Sequence, residues 1–403
     1  MRRTSFSAAL AACVLLLLAI VARAGVADEL PYQALAERIV GRGQGVYAVA
    51  EDGTVLASVA ADRAVHPASV SKIPSTLALL RRLGSDHRFV TRVLGASPRE
   101  GVVASDLLVE SDGDPFLLPQ SAAYMLGELD DLGVDRVRGR VRVEGPLFYE
   151  WKPDPGGRRF AAALSGRLPK EAVREANERR GGTGIGSLVF DRAKQPPSPP
   201  SETLLIHLSP PLPRILKELN GYSNNIFHPL SDRVGGPAAV QQLARESVPL
   251  EWADEVIITN AAGAGKTNRL SPRAAVALAR ALQREAARHG LALTDVLPVA
   301  GVDRGTLQRR FAEEGLRGAI VGKTGTYGSL GASSLAGVAR TKKWGEVTFA
   351  ILNRNVPVPE ARRRQDAFVA AVLDDAGAVP WPYVPRPSPI LVEETVIGRV
   401  GGG

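Results

Sequence analysis

The chain has 403 residues, 45% hydrophobic and 23% charged, which excludes a disordered or collagen-like protein and suffices for one large domain or two smaller ones. Its formal net charge of +8 is mildly basic for this length; it suits an anionic surface such as a cell wall and does not demand nucleic acid. A single cysteine, Cys13, excludes a disulfide framework.

Arg2 and Arg3 precede an apolar run from Ala8 to Val21, and Ala22-Arg23-Ala24 follows as a small-x-small cleavage site. This pattern predicts a signal peptide over 1–24, a mature chain starting at Gly25, and a periplasmic or secreted product. The run is shorter than the roughly 20 apolar residues needed to cross a bilayer. Membrane contact is therefore expected only through an uncleaved leader. Leu10-Ala11-Ala12-Cys13 lacks the order of a lipoprotein signal, because the apolar run follows the cysteine. Cys13 leaves with the leader, so packing of aliphatic side chains must hold the mature protein together.

Residues 45–59 read as a hairpin, with Gly45–Ala50 and Val55–Val59 flanking the turn Glu51-Asp52-Gly53. A helix carrying Ile73, Leu77, Leu80 and Leu83 at helical spacing follows, and Gly84 is a plausible stop. From 85 to 205 the texture changes: strand-like runs (Phe89–Leu94, Asp106–Glu110, Val137–Val143) sit among Gly, Pro and Asp turns. Pro196-Pro197-Ser198-Pro199-Pro200 is linker-like. This stretch reads as a β-rich insertion into a helix–strand core that resumes near Leu204. Helices are then expected at Leu212–Leu219, Ser271–His289 and Pro359–Asp374, the second opened by the Ser271-Pro272 cap. Strands are expected at Val256–Thr259, Ala319–Val321, Ser333–Val338 and Val347–Leu352. The Pro- and Gly-rich tail, 380–403, reads as loosely held.

Three short motifs carry the chemistry. In Ser69-Val70-Ser71-Lys72, a helical spacing of three puts Ser69 and Lys72 on one face. A serine hydroxyl needs an adjacent base, and a lysine serves if burial and a neighbouring cation lower its pKa. In Ser223-Asn224-Asn225, the Ser223 hydroxyl and Asn225 amide can point into one cleft, one to relay a proton and the other to hold a carbonyl. In Lys323-Thr324-Gly325-Thr326, a strand leads into the motif. There Lys323 adds charge near Lys72, Thr324 and Thr326 offer hydroxyls to a carboxylate, and Gly325 allows close approach of substrate. The backbone N–H groups of Ser69 and Thr326 are the expected oxyanion donors. Gly265-Lys266-Thr267 and Gly322-Lys323-Thr324 imitate the end of a phosphate loop but lack its earlier glycine. The five histidines show no metal spacing, so neither a metal nor a cofactor is expected.

The ordered triplet resembles the penicillin-recognising serine enzymes, the DD-peptidases and serine β-lactamases. The long gap between Ser69 and Ser223 is similar to that of the low-molecular-mass class C penicillin-binding proteins, the peptidase S13 family of D-alanyl-D-alanine carboxypeptidases and endopeptidases. Ser111-Asp112-Gly113-Asp114-Pro115, Leu208–Leu212, Asn268–Pro272 and Leu297–Gly301 fit that family too. Asn260-Ala261-Ala262-Gly263 departs from it, standing where the family has Asp-Gly-Ser-Gly, and the insertion is shorter than usual. The resemblance implies an α/β fold, a DD-peptidase/β-lactamase-like antiparallel sheet flanked by helices plus an all-helical subregion. Residues 25–84 and 206–379 would form this domain, interrupted by 85–205. It also implies peptidoglycan stem peptides as substrates and β-lactams as inhibitors. A β-lactamase or esterase on the same fold, or a wall-binding protein with a decayed site, are the alternatives.

Overall fold

The computed structural model describes residues 30–191, 199–222, 225–385 and 394–399. The leader expected at 1–24 and Ser223 lie outside the described residues.

The hairpin forms as read, with β1 (Gly45–Val49) antiparallel to β2 (Val55–Val59). It joins three late strands, β7 (Ile320–Tyr327), β8 (Ala332–Thr341) and β9 (Gly345–Asn353), in a five-stranded antiparallel sheet ordered β7-β8-β9-β1-β2. Strand alternation splits the side chains between two cores. Val46, Ala48, Leu335, Phe349 and Ile351 face the helix α8 (Val358–Ala376) through Phe368, Val369 and Leu373. Val49, Ala336, Val338 and Ala350 face the other way, toward α7 (Pro272–Arg288) and α1 (Lys72–Leu83). The Ser271 hydroxyl caps α7 by accepting from Ala274 N, and Gly84 ends α1 with φ +85°. Around α1 pack α5 (Leu212–Gly221) and α6 (Gly236–Glu246), the helical subregion.

The inserted stretch has its own core, built on a sheet of β3 (Val90–Gly95), β4 (Leu107–Ser111), β5 (Val141–Glu144) and β6 (Glu202–Leu208). Three helices pack there that the turn-rich composition hid: α2 (Pro119–Asp131), α3 (Arg158–Leu164) and α4 (Lys170–Arg179). In α2, Ala122, Met125, Leu126 and Leu129 form a buried helical stripe behind a first-turn proline. The single run expected over Val137–Val143 splits at Gly139, where a Cβ would lie 2.9 Å from Asp106 N. β6 extends to Leu208 and pairs with β3 along its length, so the inserted sheet runs past the break expected at 205.

The tail is not loose where it is described. β10 (Val396–Arg399) pairs antiparallel with β6 and closes the edge of the inserted sheet. Trp381 N donates to Gly318 O, and Tyr383 Oη donates to Asp303 Oδ1 at 2.7 Å. No helix among the described residues is long and apolar enough to cross a membrane.

Candidate active site

Ser69 lies in one 3₁₀ turn, Ala68–Ser71, that runs directly into α1 at Lys72. In a 3₁₀ turn residues i and i+3 eclipse, and Lys72 Nζ sits 3.0 Å from Ser69 Oγ. Ala68 takes φ +47°, the left-handed region that costs an L-residue of this kind about 1–2 kcal/mol. The strain is held in place: Ala68 N donates to His66 Nδ1 at 3.2 Å, and Nε2 of that ring lies 2.6 Å from Gly265 O. Those two contacts assign the proton to Nε2. His66 thus shapes the turn.

Lys72 is fully buried, and its Nζ donates to Ala262 O at 2.6 Å. The Phe227 ring, just past the second motif, lies 5.7 Å from the ammonium position. Burial, and then the nearby Lys323, push the Lys72 pKa well below the ordinary lysine value. A neutral amine here gives one N–H to Ala262 O and keeps a lone pair for the Ser69 hydroxyl. Lys323 is 1% exposed, donates to Thr324 O at 2.9 Å, and is pushed down to about 7 by burial. Among the described residues neither lysine has a carboxylate partner.

The segment Asn260–Gly263, where the motif pattern departs from the family, is built into this site. Ala262 O receives Lys72, and Ala261 O receives the Ser75 hydroxyl at 2.7 Å. Asn260 Oδ1 accepts from Ala262 N and Ala264 N, holding the loop in shape with a side-chain turn. A Cβ on Gly263, at φ +78°, would fall 2.0 Å from Ala68 O, so this glycine lets the loop press on the turn that carries Ser69. Asn268, a residue whose local sequence gives no chemical hint, ties the pieces together. Its Nδ2 donates to Ser71 Oγ and Asn260 O, and its Oδ1 accepts from Thr259 N and Asn260 N.

The third motif lies within β7 rather than after it, since the strand continues to Tyr327. Gly325 was expected to admit substrate. Its built Cβ would lie 2.6 Å from Pro67 O and 3.0 Å from Ser69 N, so it first of all admits the serine's own turn. The approach leaves Ser69 N beside the strand, one residue from Thr326. Thr324 Oγ1 donates to Thr306 Oγ1 at 2.7 Å, and Thr306 N donates to Gly221 O at 2.9 Å. Thr306 thereby joins the third motif to the end of α5, directly before the second motif. Asn225 is exposed, and its carbonyl caps the next turn at His228 N. Ser69, Lys72, Lys323, Thr324, Gly325 and Thr326 are brought together. Among the described residues Asn225 makes no hydrogen bond with them; it lies two residues before Phe227, whose ring approaches Lys72.

A serine paired with a buried, carboxylate-free lysine, against an edge strand carrying a second buried lysine, is the constellation of a serine hydrolase that works without histidine. The family model for the D-Ala-D-Ala carboxypeptidase 3 (S13) family matches residues 28–159 and 168–374. The chain belongs to that family, a family of serine-type D-Ala-D-Ala carboxypeptidases. It is 26% identical to carboxypeptidase DacB of Mycolicibacterium smegmatis, over 88% of this chain and 85% of that protein. The fold is similar to that of the penicillin G-acylated Bd3459 predatory endopeptidase of Bdellovibrio bacteriovorus: TM-score 0.71, 19% identity, 85% of this chain and 95% of that one. It is also similar to penicillin binding protein 4 (dacB) of Haemophilus influenzae, with TM-score 0.56, 16% identity and coverage of 86% and 99%. These likenesses bear out the antiparallel, DD-peptidase-like fold.

Proposed function

We propose that the protein is a D-alanyl-D-alanine carboxypeptidase/endopeptidase that cleaves peptidoglycan stem peptides through an acyl-enzyme on Ser69. The observation that carries this reading is the buried Lys72 amine, 3.0 Å from Ser69 Oγ and without a counter-carboxylate among the described residues. Ser69 Oγ attacks the carbonyl carbon of the penultimate D-alanine while Lys72 Nζ takes the hydroxyl proton. The oxyanion is received by the N–H groups of Ser69 and Thr326. The C–N bond then breaks, and Ser223, relaying from Lys72, gives the leaving amine its proton. Asn225 holds a substrate amide, and Thr324 and Thr326 lie along the path of the terminal carboxylate. Water, deprotonated by Lys72, attacks the ester; the C–O bond breaks and Lys72 returns the proton to Ser69 Oγ. β-Lactams enter the same path and stall at the ester stage. No step calls for a metal or cofactor. The reaction belongs outside the cytoplasmic membrane, in the periplasm or beyond, as the leader-like residues 1–24 imply.

Residues 25–84 and 206–379 would make up the catalytic domain and 85–205 the insertion. The integration of Asn260–Gly263 around Lys72 supports an active site over a decayed one. The test is covalent labelling by a fluorescent penicillin: the protein should label with 1:1 stoichiometry, and Ser69→Ala should not label. Folded wild-type protein that resists labelling would sink the proposal, and rapid turnover of the β-lactam would favour a β-lactamase instead.

A further inference from the structure

Lys323 is the charge that the third motif offers a substrate carboxylate, yet its amine is buried, spends a hydrogen bond on Thr324 O, and has its pKa pushed down to about 7 by burial. Thr324 donates its hydroxyl proton to Thr306 and so turns that proton away from substrate. Thr326 is different. Its Oγ1 accepts a bond from Arg362 Nη2 at 2.9 Å. With a lone pair so occupied, the Thr326 O–H is left to donate elsewhere.

Arg362 is exposed in the second turn of α8 and makes no ion pair among the described residues. The acids near it are taken: Asp366 by Arg310 Nε at 2.8 Å, and Glu360 by Arg364. The helix that carries it cannot slide. Gln365, one turn on, donates to Ser333 Oγ at 3.2 Å and Asn353 Oδ1 at 2.8 Å, both buried. Ser333 is the register partner of Thr326 across β7 and β8. Gln365 thus ties the helix turn that carries Arg362 to the strands beside Thr326.

We propose that Arg362 is a specificity-determining residue whose guanidinium, with the Thr326 hydroxyl, receives the C-terminal carboxylate of the substrate. A guanidinium is always charged and presents a donor fork matched to a carboxylate. The proposal rests on the Ser69 reading above. Its test compares wild type, Arg362→Ala and Arg362→Lys on an acylated peptide ending in D-Ala-D-Ala and on the same peptide as its C-terminal amide. For Arg362→Ala, kcat/KM on the free acid should fall roughly 10- to 100-fold, the loss expected for a charge-assisted hydrogen bond. On the amide it should hold within about twofold, and Arg362→Lys should fall between, having charge without the fork. An uncharged fluorophosphonate should label Ser69 equally in all three proteins, with unchanged melting temperature. An unchanged acid-to-amide ratio in Arg362→Ala, with wild type active, overturns the assignment. Wild type that neither turns over the peptide nor labels at Ser69 overturns the parent reading and this one with it.

Discussion

Replacing Lys323 by Met should make the protein more stable and less active, the reverse of what removing a buried, hydrogen-bonded side chain usually does. Burial takes the Lys323 pKa from 10.5 to about 7. At 1.36 kcal/mol per decade, keeping this amine in the folded protein at low pH costs up to about 5 kcal/mol. The sign follows from proton counts. Between pH 7 and 10.5 the unfolded chain binds the proton more tightly than the native state, so stability rises with pH across this window. Below about pH 7 both states are protonated and the full cost is present. Met fills a similar volume without the charge, and loses the bond to Thr324 O, worth about 1 kcal/mol. The net expectation is a gain of about 2–4 kcal/mol at pH 6 that shrinks toward zero by about pH 10. Urea unfolding of wild type and variant at pH 6, 8 and 9.5 reads the difference directly. The same change removes a cation beside Lys72, so the Lys72 pKa should rise and the onset of acylation should move to higher pH. A variant less stable than wild type at pH 6, or a stability difference flat in pH, would refute the reasoning.

Two further outcomes follow from the geometry. Gly325→Ala puts a methyl 2.6 Å from Pro67 O and 3.0 Å from Ser69 N, backbone atoms that must give way. Displacing the serine from β7 by about 1 Å should slow penicillin acylation by roughly 100-fold or more, measured by stopped-flow quenching, and a loss under threefold would contradict the close approach. Thr306→Val breaks the link from Thr324 to the end of α5 and should lower kcat/KM about tenfold, while Thr306→Ser restores it; equal losses in both variants would show the hydroxyl to be irrelevant.

The candidate constellation was unusually legible before any folding was considered. Ser69 and Lys72 are neighbours through local helix geometry alone, and Lys323 to Thr326 form one strand, so short-range spacing already groups them. The hairpin, α1, α7 and the late strands were legible for the same reason, because apolar periodicity and caps are local signals. The insertion was less so. Its helices α2, α3 and α4 are set among Gly, Pro and Asp turns, and α2 and α3 are buried by joining one core with β3, β4 and β6. The tail misled too: within its Pro- and Gly-rich stretch, the short Val396–Arg399 segment pairs with a sheet edge that no local signal announces.

The sequence by itself determined which residues are candidates for the chemistry: a serine and a lysine one turn apart, and a Lys-Thr-Gly-Thr strand. Only the tertiary structure decided their state. Whether Lys72 is a base depends on burial and on Lys323, more than two hundred residues away in the chain. It also decided what Gly263 and Gly325 are for, since both make room for the Ala68–Ser69 turn. The same holds for Asn268, Thr306 and Arg362, which bear on the site only because distant segments fold against it. Burial and charge proximity are properties of packing, and no local spacing encodes them.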